Sequence, residues 1–150
     1  MNTLSFRKEK KTWMYPELNT DRDPGYAEIA DIRLKDRMPS QEMTHFLSSF
    51  VSKESCEAWL LTIKVSKMYS RFFAETSTDA FLIELNEVGM RVVNQFTGNG
   101  EEIELSNVQI IFEKWLEFLE SNKPIEFSWE TPVKKYVYDE SIDAYVPAPE

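Results

Sequence analysis

The sequence predicts an α+β fold, in which an antiparallel β-sheet of about five to seven strands packs against two amphipathic helices. Residues 69–105 hold four short segments rich in β-branched and aromatic residues, separated by turn sequences. Apolar residues recur at helical spacing in two other segments, at about 40–51 and 107–121. A length of 150 residues suits one domain, so residues 1–150 are expected to form a single α+β domain.

Residues 1–11 are a basic arm, with four lysine or arginine residues against Glu9. We interpret this arm as a loose terminus, because chain ends are ordered only where they are tied down. The segment Asp23-Pro24-Gly25 predicts a turn, since proline presets φ and glycine accepts a positive φ. Residues 26–34 then alternate imperfectly between polar and apolar side chains, which indicates a strand.

The first helix, at about 40–51, is predicted from the spacing of its apolar residues. These residues lie at i, i+3, i+4, i+7 and i+8 and share one face: Met43, Phe46, Leu47, Phe50 and Val51. Ser40 is the predicted N-cap, because a serine hydroxyl accepts a hydrogen bond from the first turn of a helix. A helix with one apolar face is expected to pack on the sheet.

Residues 52–66 fit two kinds of secondary structure. Cys56 and Ile63 have a helical spacing, whereas Leu61, Ile63 and Val65 alternate with polar residues as in a strand. We favour the strand, preceded by a helical turn that Ser52 or Ser55 caps.

The four predicted strands between residues 69 and 105 form the centre of the sheet. They span 69–75, 80–85, 90–96 and 101–105. Each of the last two connections is of hairpin length and contains glycine where a positive φ is needed. Because sequential strands usually pair, the simplest topology is an antiparallel meander.

The second helix, at about 107–121, has the clearest signals. Ser106 and Gln109 form a capping box, and Leu105 with Ile110 forms a hydrophobic staple. The apolar face then repeats at helical spacing through Val108, Ile111, Phe112, Trp115, Leu116 and Leu119. The helix ends before a proline, and residues 124–130 are predicted to form a further strand.

Residue counts exclude most catalytic and metal-binding chemistry. The chain has one cysteine and one histidine, which excludes an internal disulfide framework and the common zinc sites. It also lacks a phosphate-binding loop and a nucleophile elbow. We therefore predict no catalytic residue, cofactor or metal site. Chemistry that needs only carboxylates stays open, and a small carboxylate-dependent hydrolase is an alternative function.

Charge is the main guide to function. The net charge is −9, and the last fifty residues hold twelve acids against four lysines. Seven of these acids lie on the outward side of the second helix or in the tail, residues 136–150. The tail is expected to be a small hairpin or a mobile segment. Acids beside tyrosines suit a basic protein partner. The candidate contact residues are Glu113, Glu117, Glu120, Tyr136, Tyr138, Asp139, Glu140, Asp143 and Tyr145.

These features predict a small acidic binding or inhibitor protein that is not an enzyme and binds neither nucleic acid nor membranes. A single free thiol and the lack of a signal peptide or apolar span favour the cytoplasm. In size and acidic composition the chain resembles the bacterial immunity proteins that neutralise nuclease toxins, and phage inhibitors that mimic DNA. That resemblance implies occlusion of a basic, nuclease-like cleft. An interaction subunit of a larger assembly is the other alternative.

Overall fold

The computed structural model describes residues 2–11, 16–18, 23–33, 39–69, 71 and 73–148. Within them the chain forms ten strands, three α-helices and a 3₁₀ turn at Pro16–Leu18. The strands are β1 (Asn2–Lys10), β2 (Tyr26–Arg33), β3 (Pro39–Ser40), β4 (Phe73–Ser77), β5 (Phe81–Asn86), β6 (Gly89–Asn94), β7 (Gly100–Glu104), β8 (Ile125–Trp129), β9 (Lys134–Asp139) and β10 (Ala144–Pro147). The helices are α1 (Glu42–Phe50), α2 (Lys53–Met68) and α3 (Leu105–Ser121). The α+β fold is confirmed, with a third helix besides the two predicted.

The strands are divided between two antiparallel sheets. One has the order β3-β2-β1-β8 and the other β10-β9-β7-β6-β5-β4. The predicted meander is confirmed, because β4, β5, β6 and β7 are neighbours in chain order. The strands predicted at 26–34 and 124–130 correspond to β2 and β8. Residues 1, 34, 70, 72, 149 and 150, which belong to predicted segments, lie outside the described residues.

The basic N-terminal residues form β1, an inner strand between β2 and β8, where the sequence predicted a loose arm. Leu4 and Phe6 are fully buried, whereas Lys8 and Lys10 are exposed. Alternate side chains of a strand point to opposite faces, so two apolar residues two apart are enough to place this strand on the core. The burial of those residues outweighs the charge at the far end of the strand.

Residues 53–66 are helical, and the strand favoured from the sequence is wrong. Helix α2 begins after Ser52, whose hydroxyl accepts a hydrogen bond from the Ser55 N–H at 3.3 Å. Cys56 and Ile63 are fully buried, but Leu61 is 64% exposed, so the alternation did not mark a buried face. The narrow apolar stripe of α2 is buried because it contacts α3, a partner that is distant in sequence.

Both predicted helix starts also differ in the structure. Ser40 belongs to β3 and α1 begins after Gln41, which makes no side-chain cap. A carboxylate from β7 takes that role, because Glu101 Oε1 accepts a hydrogen bond from the Glu42 N–H at 2.9 Å. In α3 the predicted capping box and staple are absent, since Ser106 lies inside the helix and bonds Glu104 at 2.9 Å. The start of α1 is therefore held by a residue distant in the chain, and at the start of α3 the Leu105 N–H donates to the Val88 carbonyl at 3.1 Å.

The core lies between the helices and the two sheets. Helices α1 and α3 each contact strands of both sheets. Trp115 of α3 is 1% exposed, and its ring meets Phe6 of β1 edge to face at 4.8 Å between centroids. The Trp115 indole N–H donates to the Val51 carbonyl at 2.9 Å, which fixes the connection between α1 and α2. Within the described residues, no helix is long and apolar enough to cross a membrane.

Candidate functional site

The six-stranded sheet has one face on the core and one that we call the open face. On β6, Met90 and Val92 are buried in the core cluster, so Arg91 between them points to the opposite face. The described helices pack on the core side, because α1 and α3 contact β6 and β7 through that cluster. An antiparallel sheet with one solvated face is free to carry polar side chains there.

A row of charged residues crosses the open face from β4 to β9. The strand register places Glu75, Glu84, Arg91, Glu102 and Lys134 side by side. The Arg91 guanidinium lies 3.3 Å from a Glu102 oxygen and 3.9 Å from a Glu84 oxygen, and Lys134 is 3.9 Å from Glu102. Because Arg91, Glu84 and Glu102 are at least two-thirds buried as side chains, their attraction is less screened than that of exposed pairs.

Tyrosines continue the open face beyond the charged row. The Arg91 guanidinium lies 4.5 Å from the centre of the Tyr136 ring, within the range of a cation–π contact. On the next residues of the same face, the rings of Tyr138 and Tyr145 meet edge to face at 5.4 Å. Gly98 lies against Tyr138: its φ is +76°, and a Cβ there would lie 2.9 Å from the Cβ of Tyr138. Both observations require glycine at this position.

Strands β9 and β10 form a hairpin, which is one of the two possibilities predicted for the tail. We call it the tyrosine hairpin, and its turn is formed by residues 140–143. The Asp139 carboxylate accepts hydrogen bonds from the hydroxyl and N–H of Ser141, which lower the pKa of Asp139. The Tyr138 hydroxyl donates to the Asp143 carboxylate, and this bond raises the pKa of Tyr138. Glu140 and Asp143 are exposed, so the turn presents negative charge to solvent.

The three acidic candidates on α3 lie on the other side of the sheet. Glu113, Glu117 and Glu120 are exposed but already paired, to the Gln109 amide at 2.8 Å, to Lys114 at 3.6 Å and to Lys53 of α2 at 3.8 Å. The helix packs on the core side of the sheet, whereas Tyr136 faces Arg91 on the open face. The structure therefore does not bring the two predicted groups of contact residues together.

Sequence reasoning missed the residues at the centre of the open face. Arg91, Glu84 and Glu102 belong to no sequence motif, and none of them is among the predicted contact residues. Their signal is the alternation of charge with apolar residues on three consecutive strands, such as Glu84 between Ile83 and Leu85. That alternation gives the face, but only the pairing register shows that the charges lie opposite one another.

The two candidate nucleophilic or basic side chains do not form a catalytic pair. Cys56 is fully buried, and burial together with the charge of Glu57 raises the pKa of its thiol to about 12. A protonated thiol is a poor nucleophile. His45 is exposed on α1. Among the residues that the structure describes, no three His, Cys, Asp or Glu side chains are grouped as a metal site.

Comparison of the chain with protein-family models, with curated proteins and with solved structures finds no match. A functional assignment therefore rests on the chemistry of the open face and its surroundings.

Proposed function

We propose that this chain is a small inhibitor protein that binds a basic protein partner through the open face and the tyrosine hairpin. Among such proteins, the form that fits best is an immunity-type protein that occludes the cleft of a nuclease-like toxin in a bacterial cytoplasm. The observation that carries the proposal is the exposed acidic turn of the tyrosine hairpin, next to an aromatic and charged sheet face.

The chemistry of this surface favours an extended contact with a positively charged surface of the partner. Tyrosine rings supply apolar area with a polar edge and little conformational entropy, which suits them to protein interfaces. The carboxylates of Glu140 and Asp143 add a negative field beside the rings. A partner with lysine and arginine around a cleft would be steered to this surface, and its binding would weaken as salt rises.

The placement of the hairpin also supports a contact made by a rigid surface. Tyr138 is tied to the preceding turn by its N–H, which donates to the Gly98 carbonyl at 3.0 Å. Its hydroxyl is tied to Asp143 across the hairpin. Because ordering side chains costs free energy when proteins bind, a surface that is already held by such bonds binds more tightly.

The proposal predicts that partner capture depends on the hairpin and not on α3. The immobilised full chain is used to capture proteins from an extract of its native host, followed by mass spectrometry. One variant is Glu140→Lys with Asp143→Asn, and its matched control is Glu117→Lys with Glu113→Gln on α3. Both change the net charge by three units. We expect the hairpin variant to retain less than about a tenth of the basic partner that the control retains.

Equal capture by the two variants would contradict the proposal, because net charge alone would then explain binding. Capture that is lost only in the α3 variant would move the contact to the helix. A captured partner without a basic surface would also contradict it.

A further inference from the structure

The open face ends at β4, the outermost described strand of the six-stranded sheet. The Thr78 N–H donates to the Phe81 carbonyl at 2.8 Å, so these two residues are a hydrogen-bonded pair at the end of the β4–β5 ladder. Hydrogen-bonded and non-hydrogen-bonded pairs alternate in an antiparallel ladder. Phe73, Glu75 and Ser77 therefore direct their N–H and C=O groups away from β5, toward the edge.

The opposite edge of the same sheet is protected. The Ala148 N–H donates to the Lys135 carbonyl at 2.8 Å, so Tyr145 and Pro147 are the residues of β10 that face outward. Proline has no N–H to donate and is a common way to block an edge strand. Strand β4 has the sequence Phe-Ala-Glu-Thr-Ser, without proline, and all three of its outward residues retain their donors.

The side chains of the same three residues lie on the open face. Phe73 is 57% exposed. Glu75 stands directly opposite Glu84, and like charges at such a position repel. Arg91 reaches Glu84 at 3.9 Å, but no described lysine or arginine lies within 4 Å of the Glu75 carboxylate. Along the charged row the signs run negative, negative, positive, negative, positive from β4 to β9, so Glu75 has a like charge as its only neighbour in the row, and a cation on the far side of Glu75 would supply the opposite charge.

We propose that β4 accepts an added strand from a basic protein, with a lysine or arginine opposite Glu75 and an apolar residue opposite Phe73. Main-chain hydrogen bonds at an exposed edge give such a complex its affinity, and alternate side chains give its specificity. A second copy of β4 is a poor occupant, because this strand carries no basic residue to face Glu75. The inference rests on the proposed function only in that the partner is basic.

The test uses the full chain, labelled with ¹⁵N, and two acetylated and amidated peptides. The first is Thr-Ile-Thr-Lys-Thr-Ile-Thr, which reads the same in both directions and so places lysine opposite Glu75 in either strand orientation. The second has glutamate in place of the lysine. We expect the lysine peptide to shift the amide signals of Phe73, Glu75 and Ser77 with a Kd of about 1 mM, and the glutamate peptide to bind at least about tenfold more weakly.

Two substitutions separate the backbone contact from the charge. Ser77→Pro removes one outward N–H without changing the charge, and proline is tolerated at an edge strand. It should weaken the lysine peptide by about tenfold or more, whereas Ser77→Ala should bind like the wild type. Glu75→Gln should bring the two peptides to similar affinity. Melting temperatures of the variants establish that each is folded before binding is compared.

Equal affinity of the wild type for both peptides would overturn the inference, as would amide shifts confined to other strands. A concentration-dependent dimer with protected β4 amides would show that a second copy occupies the edge, which would also overturn it. The proposed function is separate: loss of capture in the hairpin variant tests that proposal, whether or not β4 binds the peptide.

Discussion

Replacing Trp115 with alanine is expected to lower the free energy of unfolding by about 3–5 kcal/mol, the range observed when a buried large aromatic side chain is removed. The indole is 1% exposed and packs against Phe6 and Phe118 at centroid distances of 4.8 and 5.4 Å. Its N–H also donates to the Val51 carbonyl at 2.9 Å. The loss therefore combines a cavity with an unpaired buried carbonyl.

Urea unfolding followed by far-ultraviolet circular dichroism measures this effect without depending on tryptophan fluorescence. Trp115→Phe is the matched control, because it keeps most of the ring packing but cannot donate the hydrogen bond. We expect it to cost about 1–3 kcal/mol, the range for a buried polar group left unpaired. If both variants were as stable as the wild type, Trp115 would not join α3 to β1 and to the end of α1.

Replacing Glu101 with leucine is expected to destabilise the fold by about 1–3 kcal/mol, although the change is from an acid to an apolar residue on a buried strand. Glu101 is 1% exposed, and its carboxylate accepts the Glu42 N–H at 2.9 Å, at the first turn of α1. The first N–H groups of a helix have no partner within the helix, so the Glu42 N–H would be unpaired without this acceptor.

The control is Glu101→Gln, which retains a side-chain oxygen that can accept the Glu42 N–H. We expect glutamine to preserve most of the stability that leucine loses, as measured by the urea midpoint. A leucine variant more stable than the wild type would contradict the cap, because burial of apolar area would then outweigh the hydrogen bond.

The sequence predicted the meander, α3, β2 and β8 correctly. The meander follows from four short apolar segments and from two short connections between them. Gly98 has the predicted positive φ, but Gly89 does not: it begins β6, where a Cβ would lie 2.2 Å from the Ile103 carbonyl oxygen. Helix α3 follows from its apolar period, and β2 and β8 follow from their patterns. These elements were predicted because each has a pattern that is complete within a few residues of chain.

Elements that depend on distant partners were not predictable in the same way. Helix α2 has only a narrow apolar stripe, and the contact with α3 decides in favour of the helix. The cap of α1 comes from Glu101, 59 residues from Glu42 in the chain. In β1 the alternation of Leu4 and Phe6 is too short to predict a strand beside a cluster of basic residues, and only the pairing with β2 and β8 shows that this segment belongs to the core.

The candidate site was predicted in part for the same reason. The acids and the tyrosines of the tail were identified from composition. The structure places Tyr136, Tyr138 and Tyr145 together on the open face. Helix periodicity identified the acids of α3, but it contains no information about the side of the sheet on which they lie. Arg91 gains its importance from strand register, which determines that two carboxylates and a tyrosine surround it.

The most direct test of the central claim is the salt dependence of the association rate between the full chain and its purified basic partner. Stopped-flow measurements would compare the wild type with the two charge-matched variants, one in the tyrosine hairpin and one on α3. We expect the rate constant to fall by about tenfold or more between low and physiological salt for the wild type and the α3 variant, with a much weaker dependence for the hairpin variant. Rates that do not depend on salt, or slopes that are the same for all three proteins, would contradict a contact made through the open face and the acidic turn of the tyrosine hairpin.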